Sequence, residues 1–175
     1  TALSGKKLSI MQEAKSSGVF TGIINSGSII EPGTAVFVSS DTKRAHYEAI
    51  TKMVIESGTD LIFSGGEDWL LPVGTKGRFV ESGKRTDEIN LISFAEKNGY
   101  KVVYTKDELI TLSPKEKKVL GVFAAIHTFN DMSEEEQQKQ NLPNYVETAP
   151  TLKEMTDYAL KFFSAKGKFL LVIEE

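Results

Sequence analysis

Apolar residues in this chain alternate between two spacings. Leu8, Met11 and Ala14 recur at the interval of one helix face, and the pattern stops at Gly18. Val19-Phe20-Thr21-Gly22-Ile23-Ile24-Asn25 then runs apolar, as a buried strand does. The same succession returns further along. Residues 41–57, with Tyr47, Ile50 and Val54 on one face, predict a helix leading into the strand Asp60-Leu61-Ile62-Phe63. Residues 86–97 predict another, closed by Asn98-Gly99 and leading into Lys101-Val102-Val103-Tyr104. A strand is expected over 118–123, and a final helix over 152–163 precedes a strand over 168–174. In that helix Leu152, Met155, Ala159 and Phe162 line one face, while Thr151 and Glu154 have the spacing of a capping box.

Strands that are apolar throughout and alternate with helices predict an α/β fold, a three-layer α/β/α sandwich around a mainly parallel sheet. Residues 1–175 read as one domain without internal repeats, and 126–150 as a surface insertion. The insertion's polar stretch 132–145 carries Ser133-Glu134-Glu135-Glu136-Gln137-Gln138, the signature of a solvated face.

Composition narrows the partners more than the chemistry. With 40% hydrophobic and 26% charged residues the chain has globular usage. Its 21 basic residues against 24 acidic ones leave a net charge of -3, so no cationic surface for nucleic acid is expected. The absence of cysteine excludes a disulfide framework and thiolate chemistry but leaves the compartment open. The apolar runs 119–126 and 169–173 fall far short of the roughly 20 residues of a membrane-crossing helix. Thr1-Ala2-Leu3-Ser4-Gly5-Lys6-Lys7 has no initiator Met and no apolar targeting segment, and reads as an internal start.

Ligands of open α/β sheets bind beyond the carboxyl ends of the strands. The residues expected there are Ser26-Gly27-Ser28, Glu31-Pro32-Gly33-Thr34, Ser64-Gly65-Gly66-Glu67-Asp68-Trp69 and Glu174. Glu31, Glu174 and the Thr34 hydroxyl are oxygen donors of the kind magnesium takes in an octahedral shell, and Glu175 alternates to the opposite face. On periodicity alone, Glu31 also reads as a loop carboxylate and Glu174 as an exposed strand terminus. Arg44, expected near the start of a helix, opposes the macrodipole; its guanidinium fork suits an anion, or it is simply solvated. The Gly65-Gly66 pair suits a tight turn at least as well as a phosphate cradle, and no Walker A or Rossmann glycine pattern is present. His46 and His127, too few for a zinc site, read as structural or surface residues.

Taken together, these segments resemble the alkaline phosphatase family over nearly the whole chain. The most specific part is Ala149-Pro150-Thr151-Leu152-Lys153-Glu154-Met155-Thr156 leading to Gly167-Lys168-Phe169-Leu170-Leu171-Val172-Ile173-Glu174. It is similar to the family's helix and following strand, which ends in a magnesium-ligating glutamate. Lys7-Leu8-Ser9-Ile10-Met11-Gln12-Glu13-Ala14, Asp60-Leu61-Ile62-Phe63-Ser64-Gly65-Gly66, Lys84-Arg85-Thr86-Asp87-Glu88-Ile89-Asn90-Leu91-Ile92 and Val119-Leu120-Gly121-Val122-Phe123-Ala124 match further segments in the same order.

The resemblance implies that Glu174 is a magnesium ligand, that Arg44 binds the substrate phosphate and that Glu31 occupies a first-shell metal position. The loop departs from the family pattern, because the hydroxyl ligand falls on Gly33 and Thr34 replaces it only if the backbone shifts. The resemblance further implies an exported (periplasmic or secreted) hydrolase of phosphate monoesters that works with zinc and magnesium through a phosphoserine. The nucleophilic serine would precede Thr1 and most zinc ligands would follow Glu175, so this chain is expected to hold no catalytic nucleophile, to be inactive alone and to self-associate. The competing expectations are a non-catalytic anion-binding module and a fragment of a related phosphomutase or sulfatase.

Overall fold

The computed structural model describes residues 8–129 and 134–175. Its strands are β1 (Phe20–Ser28), β2 (Leu61–Gly65), β3 (Tyr100–Val103), β4 (Lys118–Val122) and β5 (Phe169–Glu174). They form one sheet in the order β3-β4-β2-β1-β5, and every pairing is parallel. The helices are α1 (Ile10–Ser16), α2 (Pro32–Ala35), α3 (Tyr47–Glu56), α4 (Leu91–Lys97), α5 (Lys106–Thr111), α6 (Glu134–Gln140) and α7 (Leu152–Ser164), with a 3-10 turn at Glu67–Trp69.

Side chains alternate across a strand, so neighbouring residues serve opposite cores. Ile23, Ile62 and Leu120 pack with Met11 of α1, Ile50 and Val54 of α3, and Leu91 and Ala95 of α4. Their neighbours Ile24, Leu61, Phe63 and Val119 pack with Leu109 of α5 and with Met155, Ala159, Phe162 and Phe163 of α7. Because both strand faces are buried, the central strands are apolar throughout, and the expected three-layer α/β/α sandwich is observed. The connections moving toward the β3 edge carry α3 and α4 on one face, and those returning toward β5 carry α5 and α7 on the other. Crossovers of a single hand require this arrangement.

Two helices are shorter than the periodicity predicts. The one expected over 41–57 begins only at Tyr47, because Asp41 turns the chain ahead of it. Its carboxylate accepts the Lys43 amide at 2.9 Å and lies 2.7 Å from His46 Nδ1. The bond from the Lys43 amide, with His46 adding to it against a smaller desolvation effect, holds the Asp41 carboxyl below its ordinary range. The helix expected over 86–97 begins at Leu91, where the Asn90 side chain accepts the Ser93 amide at 2.9 Å. Before it, Arg85 is 1% exposed and its guanidinium pairs with Asp87. Arg85 also donates to the Glu48 carbonyl at 3.2 Å, the Thr51 hydroxyl at 2.7 Å and the Trp69 carbonyl at 3.1 Å. These bonds pin the connection into α4 against α3.

The segment 126–150 is tied to the sheet at its base. Thr128 donates its amide and hydroxyl to the Ser26 carbonyl at 2.8 and 2.6 Å, Phe129 bridges to Tyr145, and the Val146 amide donates to the Thr128 carbonyl at 2.8 Å. Residues 138–140 of α6 are exposed. Residues 130–133 and the amino-terminal 1–7, where part of the polar stretch and the start of the family match fall, lie outside the described residues. Among the described residues no helix is long and apolar enough to cross a membrane.

Candidate functional site

The carboxyl ends of β1 and β5 lie side by side, with Asn25 directly opposite Glu174. Beyond β1 the chain enters α2, which starts because Pro32 sits at its first position and turns Thr34 and Ala35 inward. Thr34 is 1% exposed, and its hydroxyl accepts from Asn25 Nδ2 at 3.0 Å. The same nitrogen donates to Glu174 Oε2 at 2.6 Å, while Asn25 Oδ1 accepts the Gly27 amide at 2.5 Å.

Gly33 explains why the hydroxyl arrives from position 34. A Cβ there would lie 1.9 Å from Glu174 Oε1, so the carboxylate rests on the space a side chain would fill. The backbone of this short helix instead presents Thr34 to the site.

Glu31 and Arg44 form a second pair. Arg44 Nη2 lies 3.2 Å from Glu31 Oε2, and Nη1 donates to the Ile30 carbonyl at 2.8 Å. The guanidinium carbon stands 5.5 Å from the centre of the Tyr47 ring. Arg44 belongs to the turn before α3 rather than to its first helical turn, so the macrodipole argument does not apply to it. Its side chain remains 47% exposed and that of Glu31 29%, so the pair is wet and exchangeable. A cleft of about 900 Å³ between α1, α2 and α3 opens beside it and is lined by Arg44, Lys43, Pro32 and Val36 among others.

The four expected residues thus fall into two pairs, Arg44 with Glu31, and Thr34 with Glu174 through Asn25. Asn25 itself is a residue that periodicity passes over, and its only signal is an amide ending an otherwise apolar run. Thr34 and Glu174 offer two hard oxygens converging on one point, which fits two positions of an octahedral cation shell. Among the described residues no three His, Asp or Glu gather as a metal-holding group.

Of the remaining polar residues near these strand ends, Ser26, Ser28 and Ser64 bury hydroxyls without a hydrogen-bond partner, whereas others are held structurally. Gly66, at φ 93, takes a left-handed turn, and its amide and that of Glu67 both bond to the Ala124 carbonyl at 3.2 Å. Those amides therefore face the loop after β4, and the Gly65-Gly66 pair serves as a turn. Glu67 is 0% exposed and accepts the amides of Arg78, Phe79 and Val80 at 2.8, 2.6 and 3.1 Å. Asp68 lies 2.8 Å from Lys84 Nζ. His127 stacks on Phe129 with ring centres 5.1 Å apart. Glu175 accepts from the Tyr145 hydroxyl at 2.6 Å, away from the Glu174 carboxylate.

The arrangement has counterparts among known proteins. The sequence profile of the family described as alkaline phosphatase matches residues 2–174. An alkaline phosphatase of Schizosaccharomyces pombe is 26% identical over 169 residues, which cover 93% of this chain and 30% of the yeast protein. The alkaline phosphatase of Thermus thermophilus superposes with a TM-score of 0.71 at 29% identity, over 92% of this chain and 30% of that one. A cold-active alkaline phosphatase from Shewanella sp. gives 0.68 at 25% identity, over 94% and 34%. The chain therefore spans about a third of the length of these relatives. With a parallel sheet of matching architecture and a profile match along almost its entire length, the chain belongs to the alkaline phosphatase family.

Proposed function

We propose that this chain is the phosphate-clamping portion of an exported phosphomonoesterase, and that Arg44 is the clamp. The observation that carries the reading is the Arg44–Glu31 pair at the sheet's carboxyl edge, where a half-exposed guanidinium is held by one carbonyl and one replaceable carboxylate. A phosphate ester displaces Glu31 and takes the same fork, since a phosphate offers oxygens in the geometry a guanidinium matches. Glu31, so released, is an oxygen donor for a neighbouring cation. Thr34 and Glu174 would hold magnesium from two sides, and that ion, with zinc held elsewhere in the whole protein, supplies electrostatic stabilisation of the oxygens at phosphorus. In that protein a serine outside these residues takes the phosphoryl group from the ester oxygen, and water then releases it as inorganic phosphate.

The test uses both lengths of protein. In the whole phosphatase, R44A should raise the KM for an aryl phosphate and weaken inhibition by inorganic phosphate by roughly ten- to a hundredfold, the loss of charge-assisted hydrogen bonds worth about 1.5–3 kcal/mol. The 175-residue chain, verified by intact mass, should show no turnover with zinc and magnesium added. An unchanged KM in R44A removes Arg44 from the reading, and robust turnover by the short chain removes the need for an outside serine.

A further inference from the structure

We propose that Asn25 is the positioning residue of the strand-end site and competes with its cation, holding Glu174 and Thr34 together until an ion displaces it. The proposal rests on the reading of Thr34 and Glu174 as cation ligands. A hard cation would unite the two oxygens through their lone pairs. Here those lone pairs already receive the two hydrogens of a single amide, at 2.6 and 3.0 Å.

The orientation of that amide is determined. Its oxygen accepts the Gly27 amide at 2.5 Å, so the nitrogen must face the two oxygens. The opposite rotamer would set Oδ1 against the Glu174 carboxylate and leave the Gly27 amide facing a donor. Nor can the side chain swing clear, because Asn25 is 3% exposed and sits on β1, between β2 and β5 in the sheet. Glu174 is equally placed, pairing with Asn25 in the strand register and resting on Gly33.

Two consequences follow. The Asn25 nitrogen occupies the point between the two oxygens, so an arriving ion must first break two hydrogen bonds, one of them to a charged acceptor. Magnesium affinity at this site is therefore set by residue 25. An aspartate there removes both donors and adds a third oxygen, turning the bridge into a three-oxygen cation shell that is strained when empty.

Thermal unfolding and calorimetric titration with magnesium chloride on the 175-residue chain test this. The wild-type midpoint should move little with magnesium, and its titration should show weak binding only. N25D should unfold at a lower temperature than wild type without the ion, recover with it, and bind magnesium at least about tenfold more tightly. The double variant N25D/E174Q should lose that recovery, which a general effect of magnesium on the fold would not. If N25D does not fold, N25S replaces it and should gain a magnesium response of the same direction. A wild-type chain that binds magnesium as tightly as N25D and loses the response in E174Q overturns the role of Asn25 while leaving the cation site in place. Silence in wild type and in every folded position-25 variant overturns the cation site itself, and the inference with it.

Discussion

Tyr100 donates its hydroxyl to the Thr59 carbonyl at 2.6 Å and is 4% exposed. Burial, reinforced by the Asp60 carboxylate, pushes its phenol well above the ordinary value of 10.0. Tyr104 is pushed up to about 12 by burial first, and then by Glu67, Glu96 and Glu108 against the opposing Arg78. A raised folded-state pKa means the fold keeps protons that the unfolded chain releases. The stabilisation is therefore complete below about pH 10 and is lost as pH climbs through the folded values. Urea midpoints measured across the alkaline range should fall above about pH 10. Y100F should cost about 1 kcal/mol near neutrality, where the Thr59 carbonyl loses its donor, yet show a shallower alkaline decline. Side chains of this kind also mark the limit of what the sequence discloses. Arg44 and Glu174 stand out through family resemblance, but nothing local announces that Asn25 will bridge Thr34 and Glu174, because its partners come from a different helix and a different strand.

Elements were legible in proportion to their length and to how far their own residues determine them. Helix α7 is the clearest case. Its apolar face reaches one core, and its capping box is complete, with the Thr151 amide donating to Glu154 Oε2 at 2.8 Å and the Glu154 amide to Thr151 Oγ1 at 3.3 Å. T151A should therefore lower the stability by about 1 kcal/mol, read as a lower urea midpoint with an unchanged slope. Helices α2 and α5 escape the periodicity because one or two turns are too short to show it, although Pro32 and the Thr105 cap are signals in hindsight. The starts of α3 and α4 were displaced for another reason: Asp41 and the Arg85–Asp87 pair bind backbone and side chains that helical turns would have needed.

At the scale of the molecule, the sheet ends in a strand that is less buried than the others. Among the described residues β5 pairs only with β1, and Phe169 and Ile173 are 40% and 43% exposed. Such an edge offers unpaired backbone groups to another chain. The 175-residue chain should associate in a concentration-dependent way in sedimentation, and I173K should shift it toward monomer; a strict monomer at high concentration would remove the edge as an interface. The same strand sets the timetable of assembly. The bond from Asn25 to Glu174 joins positions 149 residues apart, with β2, β3 and β4 in between. Closing so long a loop is slow, and on a chain emerging amino-terminus first β5 follows the other four described strands. Until β5 is made and docked, Asn25 and Thr34 therefore lack their carboxylate, and the Arg44–Glu31 pair stands beside an unfinished edge.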